Sequence, residues 1–317
     1  MSRPPGATIG GQAVLEGVMM RAPHGWAVAC RTPGGRIEAE SHELPRLSSR
    51  SRWGRVPFVR GALVLVEALT LGFRALSWSA QKASGEDEEP LSSRQIAVSM
   101  TLALVIFAGL FMLLPVAATG WLGLGADTPW FHLVEAGIRI GLFLGYLWAI
   151  GRSSEIRRVF AYHGAEHMTI HAYEAGDPLG IADIRGYRPE HPRCGTSFLL
   201  IVLLVAIVVF SLFGDFGYLP GPSLLWLVLS RLVLIPVIAG VAYEVLKLAA
   251  FKPAGVVSKV LAAPGLWLQR MTTAQPEDPM IEVAVTSLLF ALDDTELEGL
   301  RSRGPVVPEA LAVLEQS

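Results

Sequence analysis

The sequence predicts a mainly α-helical, polytopic membrane protein with about four transmembrane helices, a small N-terminal β unit and a cytoplasmic helical connector. Three observations lead to this prediction: an apolar composition, long uncharged runs and an uneven distribution of arginine. Of the 317 residues, 52% are hydrophobic and 17% are charged, whereas typical soluble domains carry about 25% charged residues. Composition therefore favours a chain that lies largely in lipid.

The small β unit is expected at the start of the chain, within residues 1–60. Short extended segments are predicted at Gln12–Met19, Trp26–Arg31 and Arg36–His42, and the turn Pro33–Gly35 joins the last two as a hairpin. Residues 61–82 follow as an apolar helix. Because arginines flank it, an interfacial or re-entrant helix is preferred to a fifth span.

Residues 83–95 form an acidic linker that ends with capping-box spacing at Ser92 and Gln95. The first predicted span, Ile96–Thr119, has no charged side chain and exceeds the roughly 20 residues that a bilayer crossing needs. The other three spans are predicted at Phe131–Ile150, Ser197–Phe213 and Ser223–Leu246. The chain thus divides into spans one and two (96–150), a connector (151–196), spans three and four (197–247) and a C-terminal region (248–317).

Arginine and lysine indicate which side of the membrane each segment occupies. The connectors 120–130 and 214–222 contain neither residue, whereas 151–196 is rich in arginine and lysines follow the last span. Positively charged loops stay in the cytoplasm, so both termini and the connector are predicted to be cytoplasmic. The start of the chain lacks the pattern of a signal peptide.

Charge and cysteine content restrict the partners. The net charge is −2, so no nucleic-acid partner is expected. Cys30 and Cys194 are the two cysteines, and their predicted cytoplasmic position argues against a structural disulfide. Cys194 remains either a metal ligand or a plain small residue. The absence of an internal sequence repeat weighs against an inverted-repeat transporter.

The connector contains the pattern H-x-x-E-H. On a helix from about 157 to 174, His163 and His167 lie one turn apart on one face, as two imidazoles that bind one metal ion do. Glu166 lies beside them as a candidate catalytic base for metal-activated water. Glu174 and His171 share the same face of the helix.

A second pattern, His191-Pro192-Arg193-Cys194, directly precedes the third span, and its H-x-x-C spacing can chelate a metal from a turn. Three interpretations stay open. In the first, His163, His167 and one of His191, Glu174 or Cys194 bind a catalytic divalent metal, with zinc expected. In the second, a closed four-ligand site is structural. In the third, these are ordinary residues of the membrane surface.

Three long motifs resemble the YqhQ-like family of bacterial multi-pass membrane proteins. They are the N-terminal segment 10–21, the central segments 162–167, 173–174 and 191–198, and the C-terminal segments 239–244 and 264–269. The family is a domain of unknown function whose members are described as predicted metal-dependent enzymes. The resemblance implies a multi-pass protein of the bacterial inner membrane, and it implies that His171 is a bystander.

Several charged residues outside these motifs remain ambiguous. Glu16 is either a further contributor to the metal site or part of a strand. Glu135 and Arg139 have the spacing of a helical pair, and Arg231 is a second candidate partner for Glu135. Glu244 is either an interfacial carboxylate near a lysine or a contact of the site.

The leading hypothesis is a membrane hydrolase that uses metal-activated water at the cytoplasmic surface, with Glu166 as the base. The expected partners are the lipid bilayer and a membrane-associated substrate, which is a lipid, a polymer or a peptide. Homo-oligomerisation stays open. The alternative is a non-enzymatic scaffold or assembly factor with a structural metal site, and a transporter is a third class.

Overall fold

The computed structural model describes residues 9–44, 56–84, 92–124, 129–192, 194–213, 233–245 and 256–316. These residues are mainly helical and include a four-stranded antiparallel sheet near the N terminus, so the coarse fold class is confirmed. The strands are β1 (Gly10–Val14), β2 (Gly17–Arg21), β3 (Gly25–Arg31) and β4 (Ile37–Glu43). The helices of the first half are α1 (Val59–Ala83), α2 (Ser93–Ala108), α3 (Leu114–Trp121), α4 (Pro129–Ile150) and α5 (Ser154–Ala175). Those of the second half are α6 (Ile181–Arg185), α7 (Gly195–Phe213), α8 (Val233–Val245), α9 (Val256–Thr272), α10 (Asp278–Ala291), α11 (Asp294–Arg301) and α12 (Pro308–Glu315).

The sheet is a meander in the order β1-β2-β3-β4. The single extended segment expected at Gln12–Met19 is wrong, because the chain reverses between Val14 and Gly17, which pair with each other. A side chain at Gly17 would lie 2.2 Å from the carbonyl oxygen of Ala29, so glycine permits β2 to approach β3 here. The hairpin predicted around Pro33–Gly35 is confirmed between β3 and β4.

The sheet is the middle of three layers. On one face, Met19, Trp26 and Val28 pack against Leu71 and Ala75 of α1. On the other face, β2 and β3 contact α10, and β1 contacts α5. Helix α10 is a core element, because ten of its side chains are buried. The sheet therefore joins α1 to the helix that carries the H-x-x-E-H motif.

Two helical stretches, Ala97–Trp121 and Trp130–Ile150, are long and apolar enough to cross a membrane. The capping box predicted at Ser92 and Gln95 is confirmed at the start of α2. The third predicted span coincides with α7, whose apolar part is shorter, and the fourth is described only over Val233–Val245. Four spans therefore stay a prediction.

A buried ion pair within α4 also contacts the other long stretch. Arg139 and Glu135 of α4 pair as their spacing predicts, and both are almost fully buried. The Arg139 Nε donates to the carbonyl oxygen of Phe111, 3.1 Å away, inside the π-helical turn Gly109–Leu113 that links α2 to α3. A π-turn disturbs the regular helical hydrogen bonding, and Arg139 provides a donor at that point. Arg231 lies outside the described residues.

The apolar helix α1 is not one of the two stretches that are long and apolar enough to cross a membrane. Leu71 and Ala75 face the sheet, whereas Val66, Leu69 and Phe73 are exposed. One face against protein and an exposed apolar face are typical of a helix that lies along a membrane surface. The interfacial position nevertheless stays a prediction.

Candidate metal centre

Helix α5 positions the two histidines of the H-x-x-E-H motif. It begins at Ser154 and ends before Gly176, whose φ of 82° is the left-handed conformation of a helix C-cap. The helix predicted over 157–174 is therefore confirmed and extends further at its N-terminal end. The rings of His163 and His167 lie one turn apart, with centroids 4.3 Å from each other.

Cys194 completes a cluster of three possible ligands. The Nε2 of His163 lies 3.2 Å from the Cys194 sulfur, and the ligand atoms of His163, His167 and Cys194 all lie within 4.8 Å of one another. Tetrahedral zinc holds such atoms roughly 3.3–3.6 Å apart, given bonds of about 2.0–2.3 Å. Small side-chain shifts would bring all three to one ion. We call these residues the donor trio.

Main-chain carbonyls fix the orientation of both histidines. The Nδ1 of His163 donates to the carbonyl oxygen of Thr272 at 2.8 Å, and the Nδ1 of His167 donates to that of Pro189 at 2.6 Å. Because a carbonyl can only accept, each Nδ1 must carry the proton. Each Nε2 then keeps its lone pair, which is the arrangement common to metal-binding histidines.

The buried Nε2 of His167 has no hydrogen-bond partner among the described residues. A buried polar atom without a partner costs free energy, and a metal ion at the trio would satisfy it. Burial lowers the pKa of His167 to about 2 and also lowers that of His163. Both rings are therefore neutral at physiological pH, which is the form that binds metals. The residues present fit a soft divalent ion such as zinc.

Gly164, between the two histidines, is required by the packing of the C-terminal region. A side chain there would lie 2.0 Å from the carbonyl oxygen of Ala274. The Ala274 N–H in turn donates to the carbonyl oxygen of Phe160 at 2.9 Å. The chain after α9 thus lies directly on α5, and this contact brings the Thr272 carbonyl to His163.

Glu166 lies against the sheet and outside the donor trio. A side chain at Gly11 of β1 would come within 2.9 Å of the Glu166 carboxyl carbon, so glycine allows β1 to cover this carboxyl group. Burial raises the pKa of Glu166 to about 8. Its Oε2 has no hydrogen-bond partner in the described part of the chain. Glu166 is consequently a buried acid that is largely protonated at neutral pH.

His191 and Glu174 lie beside the trio and contact each other, with His191 Nε2 3.5 Å from Glu174 Oε2. The His191 ring centroid is 5.7 Å from that of His167. Gln269 of α9 holds the main chain of His191 through two hydrogen bonds, of 2.7 and 3.0 Å. The structure brings the two predicted ligands next to the trio, and their role as ligands stays a prediction.

His171 lies beside His191 on the same side of the helix, with ring centroids 4.4 Å apart. Its Nε2 donates to the carbonyl oxygen of Glu190 at 3.0 Å, and its ring stacks on Tyr187 with centroids 5.7 Å apart. It lies outside the donor trio, and this position agrees with the bystander role that the resemblance implies.

The carboxylates of Glu16 and Glu244 both form ion pairs with arginines. Glu16 accepts from Arg158 at 2.8 Å and from the Tyr162 hydroxyl at 3.3 Å, so the structure does not bring it to the trio. Arg158 lowers the pKa of Glu16 through these charge-assisted contacts. Glu244 accepts from Arg60 of α1 at 2.7 Å, a pairing that the sequence interpretation did not include.

Sequence reasoning missed the residues that orient the trio. Thr272 and Pro189 act through main-chain carbonyls, which leave no signal in side-chain chemistry. Gln269 carried a usable signal, because a buried glutamine in an amphipathic helix needs hydrogen-bond partners.

Comparison with known proteins identifies the family. A family model described as "Protein of unknown function (DUF1385)" matches residues 56–294. The chain belongs to the DUF1385 family. It is also 35% identical over 301 residues to the "Uncharacterized protein YqhQ" of Bacillus subtilis (strain 168), across 88% of this chain and 90% of that protein. No solved structure matches the chain.

Proposed function

We propose that this protein is a multi-pass membrane metalloenzyme, a hydrolase whose zinc site lies at the cytoplasmic surface of the bacterial inner membrane. One observation carries the proposal: the ligand atoms of His163, His167 and Cys194 converge within 4.8 Å. Two imidazoles and a thiolate are the ligand set that zinc prefers, and three protein ligands leave a fourth position open, as in catalytic zinc sites.

The bilayer position is supported by the elements on either side of α5. The apolar stretch Trp130–Ile150 ends immediately before it, and Cys194 directly precedes α7. With α7 and α8 as the third and fourth spans, the positive charge of the connector keeps the trio on the cytoplasmic side. The two long apolar stretches support only the first half of this topology.

A bound zinc ion would supply Lewis-acid activation of water, which is the chemistry that hydrolysis of an ester or amide bond needs. His163 and His167 would hold the ion through Nε2, with their rings fixed by the carbonyls of Thr272 and Pro189. Glu166 is the candidate for proton movement, through its buried Oε2. The β1 strand over Glu166 would exclude water from that side. The substrate would be membrane-associated.

A structural zinc site in a non-enzymatic scaffold is the second candidate, and burial favours it. His167 is 1% exposed and Glu166 is 3% exposed, so neither is open to a substrate in this conformation. A closed site would need a fourth ligand, and His191 is a candidate because its ring centroid lies 5.7 Å from that of His167.

Elemental analysis of the purified full-length protein tests the metal. We expect about one zinc per chain, lost in His163→Ala and in His167→Ala but retained in His171→Ala, the matched control on the same helix. Zinc that persists in both trio variants, with the fold intact, would contradict the proposal. Glu166→Gln then separates the two candidates. Retained zinc with lost cellular function supports an enzyme, and retained zinc with full function supports a scaffold.

A further inference from the structure

A groove of about 280 Å³ lies near the donor trio and is not part of it. One wall comes from the first turns of α5 and the other from the α9–α10 connector and the start of α10. The lining residues are Ser154, Arg157, Arg158, Ala161, Ala274, Gln275, Glu277 and Met280. A headgroup of a few polar atoms fits a volume of this size.

The groove has one positive and one negative side chain that make no hydrogen bond or close ion pair among the described residues, although the Glu277 charge interacts with Arg158. Arg158 is occupied by Glu16. Within the described residues, the side chains of Arg157 and Glu277 make no ion pair or hydrogen bond. Glu277 occupies the N-cap position of α10, yet its carboxylate does not cap that helix.

These charges restrict the ligand. A purely anionic ligand would have to tolerate Glu277, and a purely cationic one would have to tolerate Arg157 and Arg158. A zwitterion with a phosphate and an ammonium group satisfies both ends, because Arg binds phosphate through several N–H donors and a carboxylate accepts from an ammonium.

The position of the groove indicates that the zwitterionic ligand is the headgroup of a membrane lipid. Its first lining residue, Ser154, follows the end of α4 at Ile150 by one helical turn. Just before it, the Arg152 guanidinium lies 3.3 Å over the ring centroid of Trp148, which is exposed. Exposed tryptophan and arginine at the end of an apolar helix are typical of the headgroup region.

We propose that this groove binds the phosphoethanolamine headgroup of a membrane lipid, with Arg157 on the phosphate and Glu277 on the ammonium. The groove shares the 272–275 segment with the trio, because Thr272 holds His163 while Ala274 and Gln275 line the groove. A lipid held there would have its headgroup next to the candidate metal centre. The inference rests on the proposed membrane position but not on the hydrolase chemistry.

The test is calorimetric titration of the full-length protein, purified in a non-ionic detergent, with dihexanoylphosphatidylethanolamine. We expect Arg157→Ala and Glu277→Gln each to weaken binding by about tenfold, the effect of losing one charge-assisted hydrogen bond. Arg188→Ala, an exposed arginine of the same connector outside the groove, should bind as the wild type does. Zinc content should be unchanged in all three variants, so a failure of the metal proposal is recognised separately.

Two further ligands test whether the bound headgroup belongs to a lipid and whether both of its charges are recognised. Dihexanoylphosphatidylglycerol lacks the ammonium, so its binding should be weaker than that of the ethanolamine lipid. Because Glu277 repels an anionic headgroup, Glu277→Gln should not weaken this binding further. Soluble phosphoethanolamine should bind more weakly than the lipid, and equal affinity would overturn the lipid as the source. Wild-type protein that does not bind the lipid, or groove variants that are folded and bind it normally, would overturn the groove itself.

Discussion

Replacing Gly164 by alanine should weaken the metal centre without touching a ligand. The new Cβ would lie 2.0 Å from the carbonyl oxygen of Ala274, whereas such contacts are rarely closer than about 3.0 Å, so the segment must withdraw by roughly 1 Å. Thr272, two residues earlier, accepts from His163 at 2.8 Å, and the same shift would take that bond beyond hydrogen-bond range. Loss of such a carbonyl typically costs about 10–100-fold in metal affinity, or roughly 1.4–2.7 kcal/mol.

Zinc affinity is measured by competition with a chromophoric chelator on the purified full-length protein, with thermal unfolding alongside. Gly299→Ala is the matched control, because this glycine lies in α11 with nothing within 4 Å of a built Cβ. The control should keep wild-type affinity and gain up to about 1 kcal/mol in stability. A folded Gly164→Ala variant with wild-type zinc affinity would refute the link between this packing and His163.

Three further predictions concern stability. Glu16→Gln should remove a contribution that is complete above pH 4.5 and is lost as pH falls through the lowered folded pKa, so acid unfolding of the variant and wild type should converge at low pH. Arg139→Leu should destabilise the protein in detergent by about 3–5 kcal/mol, and adding Glu135→Gln should recover part of this loss in a thermal melt. Gln269→Ala should cost about 1–3 kcal/mol by chemical unfolding, because two buried hydrogen bonds to His191 are lost, and an unchanged midpoint would contradict it.

Local chemistry predicted the regular elements well. Helix α5, the capping box at Ser92 and Gln95, and the β3–β4 hairpin all follow from patterns within a few residues. The reversal at Leu15 and Glu16 was missed, because no turn residue precedes Gly17 and Glu16 itself has a φ of 49°. Its position depends on how closely β2 must approach β3, and that is a tertiary requirement.

The sequence predicted the members of the donor trio as candidate ligands, but it did not distinguish them from the other candidates. His163, His167 and Cys194 were among five predicted ligands, and His191 and Glu174 have equally suitable chemistry. The candidate ligands are distinguished by their tertiary contacts, that is, by the ring nitrogens that donate to main-chain carbonyls and by the carboxylate that contacts a histidine. Those contacts involve residues as far apart as 163 and 272, so spacing along the chain does not determine them.

The distribution of the motifs has a structural explanation. Gly11 of the N-terminal motif covers Glu166, the central motif supplies the trio, and Gln269 of the C-terminal motif holds the main chain of His191. All three contacts converge on α5 or on the connector that follows it. Since Gly11 and Gln269 do not belong to the trio, they constrain the position and solvation of residues that do. Metal binding should therefore depend on the sheet and on α9 as much as on the connector, and the isolated segment 151–196 should bind zinc more weakly than the whole chain.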